Sequence, residues 1–205
     1  MFGGTGLTGR QLLSQALDRG FAVSALAREP AKLSGIQGRL TVVEGDVHDP
    51  AAVERVVTGS EAVLSALGHV KGSPADLLSA SSASIVAAMK KLGVRRIVVL
   101  TNTAVRDATD RPPLNQLVVR GLLKLFNAKL TNDCIPAAQV ISDSGLDWTL
   151  VRAPVLTNGP RTGKYKVGPL AAGASLRVSR GDVADFMLSC VADGRFVKER
   201  PVVSG

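Results

Sequence analysis

Short apolar stretches alternate along the chain with longer stretches of helical period. Five runs rich in Val, Leu and Ile predict buried strands: FAVSALA, LTVVEG, AVLSALG, RRIVVLT and LDWTLVR. Strands that alternate with amphipathic helices predict a mostly parallel sheet covered by helices on both faces. We therefore expect an α/β protein with the doubly wound sheet of a Rossmann fold, formed as a single domain over residues 1–205.

Capping residues predict where the helices begin and end. Asp49–Pro50 is typical of an N-cap followed by proline at the first helical position. Ser73–Asp76 predicts a capping box for the next helix, which we expect to end at Gly93. Ser179–Asp182 predicts a third helix start, ahead of an apolar stripe.

Composition and charge narrow the class of ligand. No apolar run approaches the ~20 residues of a membrane span, so we expect no membrane partner. The net charge of +8 would suit nucleic acid, but aromatic residues make up only 3% and the basic residues are scattered. We therefore favour an anionic small molecule over nucleic acid. The two cysteines, Cys134 and Cys190, have neither metal-site nor disulfide-framework spacing, which favours a reducing, cytoplasmic environment and no metal.

The chain opens on a glycine loop, MFGGTGLTGR. The segment 4–9 fits G-x-G-x-x-G, whereas Gly3, Gly6 and Gly9 fit G-x-x-G-x-x-G. In either register, glycine permits the tight turn, close approach of the backbone to a pyrophosphate, and close packing of the helix on the sheet. The N–H groups at the helix start can then hold the phosphate charge. The helix and strand that follow favour a dinucleotide site over an ordinary glycine turn.

The strand ahead of this loop is unusually short. Only Met1 and Phe2 precede the first glycine, whereas a strand usually has ~5–6 residues. In a central position, a truncated strand leaves ladder groups of both neighbours unpaired, at about 1–3 kcal/mol for each buried group. We therefore expect several more apolar residues upstream in the native protein, lost through a misassigned start or truncation. If the chain is natural as written, we expect a stub and weak cofactor binding.

The residues after FAVSALA bear on the choice of cofactor. An NAD site usually places an acid there to accept the ribose 2′-hydroxyl. This chain has Arg28 with Lys32 one turn later, and two cations suit a 2′-phosphate. Glu29 could still reach the ribose, and a solvent-exposed cation pair is the simpler alternative. We expect NADP (NADPH), with NAD less favoured.

Five motifs, GGTGLTG, GDV, SALG, SGLDWTLVRAP and SRGDVADFML, together resemble the atypical short-chain dehydrogenase/reductase family. The branch most similar is the NAD(P)H-binding group of flavin reductases (biliverdin reductase B type) and NmrA-like proteins. The resemblance implies cofactor contacts from Thr5, Gly6, Leu7 and Thr8 (pyrophosphate), Arg28 and Lys32 (2′-phosphate), Asp46 and Val47 (adenine), Ala66, Leu67 and Gly68 (adenosine-side ribose and phosphates), and Thr101, Asn102 and Pro154 (nicotinamide). Asp46 could equally be a turn residue, and Ala66 and Leu67 could be plain strand core.

The chain departs from that family at the catalytic residues. The usual Tyr-x-x-x-Lys pair is missing, since Pro169 stands four residues after Tyr165, the only tyrosine. The flavin reductase branch has a serine where this chain has Asn102, followed by Thr103. Of the two histidines, His69 could lie near the cofactor, but we favour a surface loop for it.

Hydride transfer to a flavin or quinone does not require an acid residue, because these acceptors delocalise the charge. We therefore expect an NADPH-dependent reductase of a planar, conjugated acceptor, with Asn102 or Thr103 bonding the acceptor oxygen or the nicotinamide amide. An NmrA-like sensor or scaffold without turnover is the alternative, and an isomerase or epimerase is weaker because its acid–base pair is missing. We expect segment 104–130 on the substrate side. Its stripe of Leu114, Leu117, Val118, Leu122 and Leu125 suits a pocket or, more simply, helix packing.

Overall fold

The computed structural model describes residues 1–111, 128–171 and 175–205, so the stripe from Leu114 to Leu125 lies outside the described residues. The helices are α1 (Leu7–Asp18), α2 (Pro50–Val57), α3 (Leu77–Leu92), α4 (Ala128–Ser142) and α5 (Arg180–Ala192). The strands are β1 (Val23–Ala27), β2 (Leu40–Glu44), β3 (Ala62–Ser65), β4 (Arg96–Asn102), β5 (Asp147–Ala153), β6 (Val155–Thr157), β7 (Lys166–Gly168), β8 (Arg177–Ser179) and β9 (Val202–Ser204). All five strands predicted from apolar runs are present.

The central sheet is mostly parallel, as predicted. Strands β3, β4, β5 and β9 run parallel in that order, and β7 joins the edge antiparallel to β9. Strands β1 and β2 form a separate parallel pair, and β6 pairs with β8. Helices α2, α3 and α4 pack around one apolar core, while α1 and α5 pack together around the other. This is the two-faced arrangement expected of a doubly wound fold.

A two-residue stub joins the β1–β2 pair to the larger sheet. The Phe2 amide donates to the Leu64 carbonyl (2.9 Å), and the Ala66 amide donates to the Phe2 carbonyl (3.0 Å). On the other side, the Leu26 amide donates to the Met1 carbonyl (3.0 Å). The complete order is therefore β2, β1, stub, β3, β4, β5, β9, β7. Met1 and Phe2 thus take the place of the first strand between β1 and β3, and the glycine loop follows them directly.

Three of the predicted capping residues are found at the ends of helices. The Asp49 carboxylate accepts from the Ala51 amide at the start of α2, and the Ser179 hydroxyl accepts from the Asp182 amide at the start of α5. Gly93 ends α3 with a φ of 72°, a conformation that favours glycine. Among the described residues, no helix is both long enough and apolar enough to cross a bilayer.

The prediction of a capping box at Ser73–Asp76 is wrong. Helix α3 begins at Leu77, Asp76 makes no side-chain cap, and the Ser73 hydroxyl instead accepts from the Val70 amide. The amides of Leu78 and Ser79 in the first turn of α3 instead donate to the Asp133 carboxylate on α4. A distant carboxylate therefore replaces the local cap, which is an arrangement that no local motif encodes.

Arg96 connects several elements at the amino end of the parallel strands. Its guanidinium donates to the carbonyls of Asp147 (2.8 Å), Cys190 (2.8 Å) and Arg195 (3.0 Å), and to the Thr149 hydroxyl (2.8 Å). These bonds link β4 to β5 and to the end of α5.

Candidate functional site

The glycine loop lies at the carboxyl edge of the sheet and turns into α1. Gly3 has a φ of +77°, and a Cβ there would come within 2.6 Å of the Ala66 carbonyl. A Cβ on Gly9 would lie only 1.9 Å from the Gly3 oxygen. The loop and helix are therefore in contact at van der Waals distance, which requires glycine at both positions.

The first turn of α1 offers its amides to a ligand. Gly6 occupies the N-cap and supplies no side-chain acceptor, so the cap leaves the first N–H groups without a side-chain partner. Gly6 and Leu7 are exposed and Thr5 is half-buried, whereas Thr8 is buried. An uncapped helix start with positive dipole end exposed is suited to a phosphate group.

The predicted cation pair after β1 is only partly available. The Lys32 ammonium lies 2.6 Å from the Glu29 carboxylate, and this contact holds the pKa of Glu29 below its ordinary value. Arg28 is 68% exposed, with its Nε 4.0 Å from an Asp46 oxygen. Glu29 thus satisfies Lys32, and Arg28 remains the better placed of the two for a 2′-phosphate.

Sequence reasoning missed Arg10, which connects the two halves of this region. Its guanidinium donates to the Lys32 carbonyl (2.7 Å) and, more weakly, to the Thr5 carbonyl (3.4 Å). The side chain is exposed and brings a further positive charge to the segment between the glycine loop and Lys32. A basic residue directly after the third glycine of the loop was the available signal.

Asp46 forms a local turn with His48 and lies next to Arg28. One carboxylate oxygen accepts from the His48 amide (2.9 Å) and contacts the His48 ring (2.7 Å). The hydrogen bond that the backbone N–H of His48 donates is the main reason that the pKa of Asp46 lies below its ordinary value. Val47 is buried. The turn interpretation therefore holds for Asp46, and its half-exposed carboxylate still leaves an adenine contact open.

The segment Ala66–Gly68 follows the last residue of β3. Ala66 bonds to the stub, Leu67 packs against the core, and Gly68 is exposed with open space around it. Ala66 and Leu67 are therefore not within the strand, although Leu67 contributes to the core.

The end of β4 carries the predicted catalytic residues. The Asn102 amide oxygen accepts from the Ala104 amide (2.9 Å), and its nitrogen donates to the Cys134 sulfur (3.3 Å). Burial raises the pKa of the Cys134 thiol, which keeps it neutral. Thr101 and Thr103 flank Asn102 and are half-buried. Because Asn102 pairs with Ala153 in the sheet, Pro154 lies beside the end of β4.

His69 is mostly buried, whereas a position in a surface loop was expected. Its ring is only 13% exposed, and Nε2 lies 2.8 Å from Oδ2 of Asp133, a carboxylate that is 2% exposed. The sequence separation of 64 residues hides this pair from motif analysis.

A second buried pair holds the segment that follows β4. The Arg152 guanidinium is fully buried and binds the Asp110 carboxylate through two bonds, of 2.6 and 2.9 Å. It also donates to the carbonyls of Arg200 (2.6 Å) and Val105 (3.1 Å). The bidentate bond fixes residues 105–110 against the end of β5.

Tyr165 is committed to a structural contact. Its hydroxyl donates to the Asp185 carboxylate (2.6 Å), and its ring meets Phe186 edge-on at 6.0 Å. Burial raises the pKa of this phenol. Both partners lie on α5, where the tyrosine packs against the helix.

Comparisons with known proteins define the family. A family model described as NAD(P)H-binding matches residues 3–194, so the chain belongs to the NAD(P)H-binding family. An uncharacterized chloroplastic protein of Arabidopsis thaliana is 32% identical over 198 residues, covering 92% of this chain and 70% of that protein. A Streptomyces griseus reductase of (4-alkanoyl-5-oxo-2,5-dihydrofuran-3-yl)methyl phosphate is 30% identical over 190 residues, covering 92% of this chain and 56% of that enzyme.

Solved structures share the fold. A short-chain dehydrogenase/reductase from Veillonella parvula, in complex with NADP, superposes with a TM-score of 0.80 at 20% identity. The match covers 100% of this chain and 92% of that one. The glycine contacts and the uncapped start of α1 fit the cofactor of this family. The doubly wound NAD(P)H-binding class inferred from the sequence is therefore confirmed.

Proposed function

We propose that this protein is an NADPH-dependent reductase of a planar, conjugated small-molecule acceptor such as a quinone or flavin. The observation that carries the proposal is the glycine loop between the stub and α1, where Gly9 contacts Gly3 and Gly6 leaves the helix start uncapped. When bound, the cofactor supplies a hydride. Both cysteines are buried free thiols, in keeping with action in a reducing, cytoplasmic compartment.

The preference for NADPH rests on positive charge at the adenosine end. Arg28 and Arg10 are both exposed, Arg10 bonds to the Thr5 carbonyl of the loop, and Arg can bind a phosphate through two parallel bonds. Lys32 contributes less because Glu29 pairs with it. The similar fold of a Veillonella protein in complex with NADP supports the same choice.

The choice of a conjugated acceptor rests on what the site lacks and on one relative. Tyr165 bonds to Asp185 and has no lysine four residues later, so it is not the usual proton donor for a simple ketone. The name of the Streptomyces relative specifies an unsaturated ring conjugated to a carbonyl. In our proposal, Thr103 and Asn102 orient the acceptor oxygen or the nicotinamide amide.

An acceptor screen tests the proposal. The purified chain is mixed with NADPH or NADH and, in turn, a quinone, a flavin, a conjugated enone and a simple ketone, and absorbance of the reduced cofactor is followed. We expect oxidation of NADPH with at least one conjugated acceptor and much slower oxidation with the ketone. The proposal would be contradicted if only the ketone oxidised NADPH, or if none of the four acceptors did.

A sensor or scaffold function is the second candidate, and the Asn102 side chain favours it. Both of its polar atoms are engaged by Ala104 and Cys134, so orienting an acceptor requires those bonds to change. For a sensor, we expect tight NADPH binding in calorimetry with no oxidation by any acceptor in the screen.

A further inference from the structure

The chain has two histidines, and they lie in opposite environments. His48 is 40% exposed beside Asp46, whereas His69 is 13% exposed beside Asp133. A histidine that is mostly buried against a carboxylate is held in one orientation, and histidine is the side chain whose ordinary pKa suits proton transfer near neutral pH.

Asp133 is built to remain a carboxylate. It accepts from the amides of Leu78 (2.6 Å) and Ser79 (3.0 Å), from the Ser79 hydroxyl (2.6 Å) and from His69. Burial pushes the pKa of Asp133 upward, but these hydrogen bonds outweigh it and the net shift is downward. A carboxylate can only accept, so Nε2 of His69 carries the proton in this pair.

The other ring nitrogen of His69, Nδ1, has no hydrogen-bond partner in the part of the chain that the structure describes. The 13% exposure of the side chain gives the ring contact with solvent, from which a proton can be replaced.

The pair lies between the two strand ends expected to hold the cofactor. His69 follows Gly68 directly, after β3. Asp133 precedes Cys134, whose sulfur contacts Asn102 at the end of β4. A cavity of about 20 Å³ lined by Leu67, Leu78, Thr101 and Cys134, among others, lies in the same region. The His69 ring is thus at the carboxyl edge of the sheet, where doubly wound folds bind their ligands.

We propose that His69, held by Asp133 as a positioning residue, donates the proton that accompanies reduction, so that the site accepts conjugated carbonyl compounds as well as quinones. This inference rests on the proposed reductase function. Reduction of a conjugated carbonyl breaks one π bond and takes up one hydride and one proton. The hydride comes from the cofactor, which is oxidised. The proton leaves Nδ1 of doubly protonated His69, and solvent replaces it.

A purely structural role for the pair makes a different prediction, and Ser79 supplies the matched control. Ser79→Ala removes one hydrogen bond from the same carboxylate but leaves His69 in place. His69→Gln keeps an amide N–H that can reach Asp133 but cannot donate a proton to substrate. If the pair only caps α3 and orders the loop, the two variants should behave alike.

The experiment compares a quinone with a conjugated enone in wild type and both variants. We expect His69→Gln to slow enone reduction by about 100-fold or more, the range of general acid catalysis. Its quinone rate and its NADPH dissociation constant should stay within about threefold of wild type, because neither hydride acceptance by a quinone nor cofactor binding needs this proton. Ser79→Ala should leave the rates with both acceptors within about threefold of wild type and lower only the thermal midpoint.

A readout independent of turnover is the ¹⁵N spectrum of the two imidazoles, assigned with His48→Gln. We expect the neutral form of His69 to carry its proton on Nε2. A proton on Nδ1, or equal losses for both acceptors in His69→Gln, or no loss for either, would overturn the assignment. Turnover of both acceptors with no selective effect defeats only the His69 proposal. No turnover in wild type defeats the reductase function and this inference together.

Discussion

The charged side chains at the predicted adenosine end of the candidate site are exposed, whereas those near the end of β4 are buried. Side chains of Arg28 and Asp46 are 68% and 43% exposed and stand 4.0 Å apart. His69 and Asp133 are 13% and 2% exposed and hydrogen-bond directly. A solvent-exposed charge contributes little to the free energy of folding but can still bind a ligand. A buried charge without a partner strongly destabilises the folded state.

The two ends should therefore respond differently to substitution. At the exposed end, changes should alter ligand affinity and leave the free energy of unfolding nearly constant. At the buried end, changes should alter stability first.

Arg152→Met should have the largest effect on stability. It leaves the Asp110 carboxylate buried without its bidentate partner, at about 3–5 kcal/mol. Urea denaturation measures the loss. Adding Asp110→Leu to that variant should recover part of it, because no unpaired charge remains. A loss of less than about 1 kcal/mol in the single variant would show that the pair is effectively solvated.

The same pair predicts sensitivity to acid. Burial raises the pKa of Asp110, but bonds from Arg152 and from the amides of Asp107 and Leu170 outweigh it, and the net shift is downward. The unfolded carboxyl then binds its proton first, so this contribution is complete above about pH 4 and is lost as pH falls through the folded-state pKa. Unfolding free energies from about pH 7 to 3 should fall less steeply in Asp110→Asn than in wild type. Parallel curves would contradict this.

Gly9→Ala should damage both stability and binding. Its Cβ would lie 1.9 Å from the Gly3 oxygen, so the loop and α1 must separate, at about 1–3 kcal/mol. Thermal unfolding and NADPH calorimetry measure the two effects. Gly6→Ala is the matched stability control, since its Cβ would meet the same oxygen at 3.4 Å, an ordinary contact. Equal thermal midpoints for the two variants would refute the steric argument.

Arg28→Ala should weaken NADPH binding with little change in stability. Loss of a charge-assisted contact to a 2′-phosphate removes about 1–3 kcal/mol from the difference between NADPH and NADH. The free energy of unfolding should stay within about 0.5 kcal/mol, because the side chain is exposed. Calorimetry with both cofactors decides the point. Equal affinities in the intact protein would remove the basis for NADPH preference.

Tyr165→Phe should have the smallest effect on turnover. The hydroxyl bonds to Asp185 and takes no part in the proposed proton transfer. We expect kcat within about twofold of wild type and a small loss of stability, on the order of 1 kcal/mol for one hydrogen bond. A large fall in kcat with NADPH affinity intact would identify Tyr165 as the proton donor.

The fold could be read from the sequence because its causes are local. The five apolar runs, the Asp49 and Ser179 caps and the glycine at residue 93 each act through neighbours a few residues away. The predicted start of α3 is wrong because the carboxylate that caps this helix belongs to Asp133, which lies 56 residues beyond Leu77 in the sequence.

The site divides in the same way. The glycine loop was predicted from a spacing that suits a pyrophosphate, and the close contacts of Gly3 and Gly9 agree with it, whereas the contact of Arg28 with a 2′-phosphate stays a prediction. Pairing of His69 with Asp133, and of Arg152 with Asp110, depends on which helix and strand ends meet in space. Arg10 could have been found, because it sits directly beside the loop.

The hydrogen bonds of Arg96 have a practical consequence for engineering. It joins β4, β5 and α5 at the amino end of the sheet, and the seven residues of β4 separate it from Asn102 by roughly 20 Å. Its guanidinium reaches four carbonyls and one hydroxyl at once, a geometry that lysine cannot reproduce. A library aimed at heat tolerance can therefore diversify the surface around this anchor while keeping Arg96 itself, and leave the ligand-binding edge untouched.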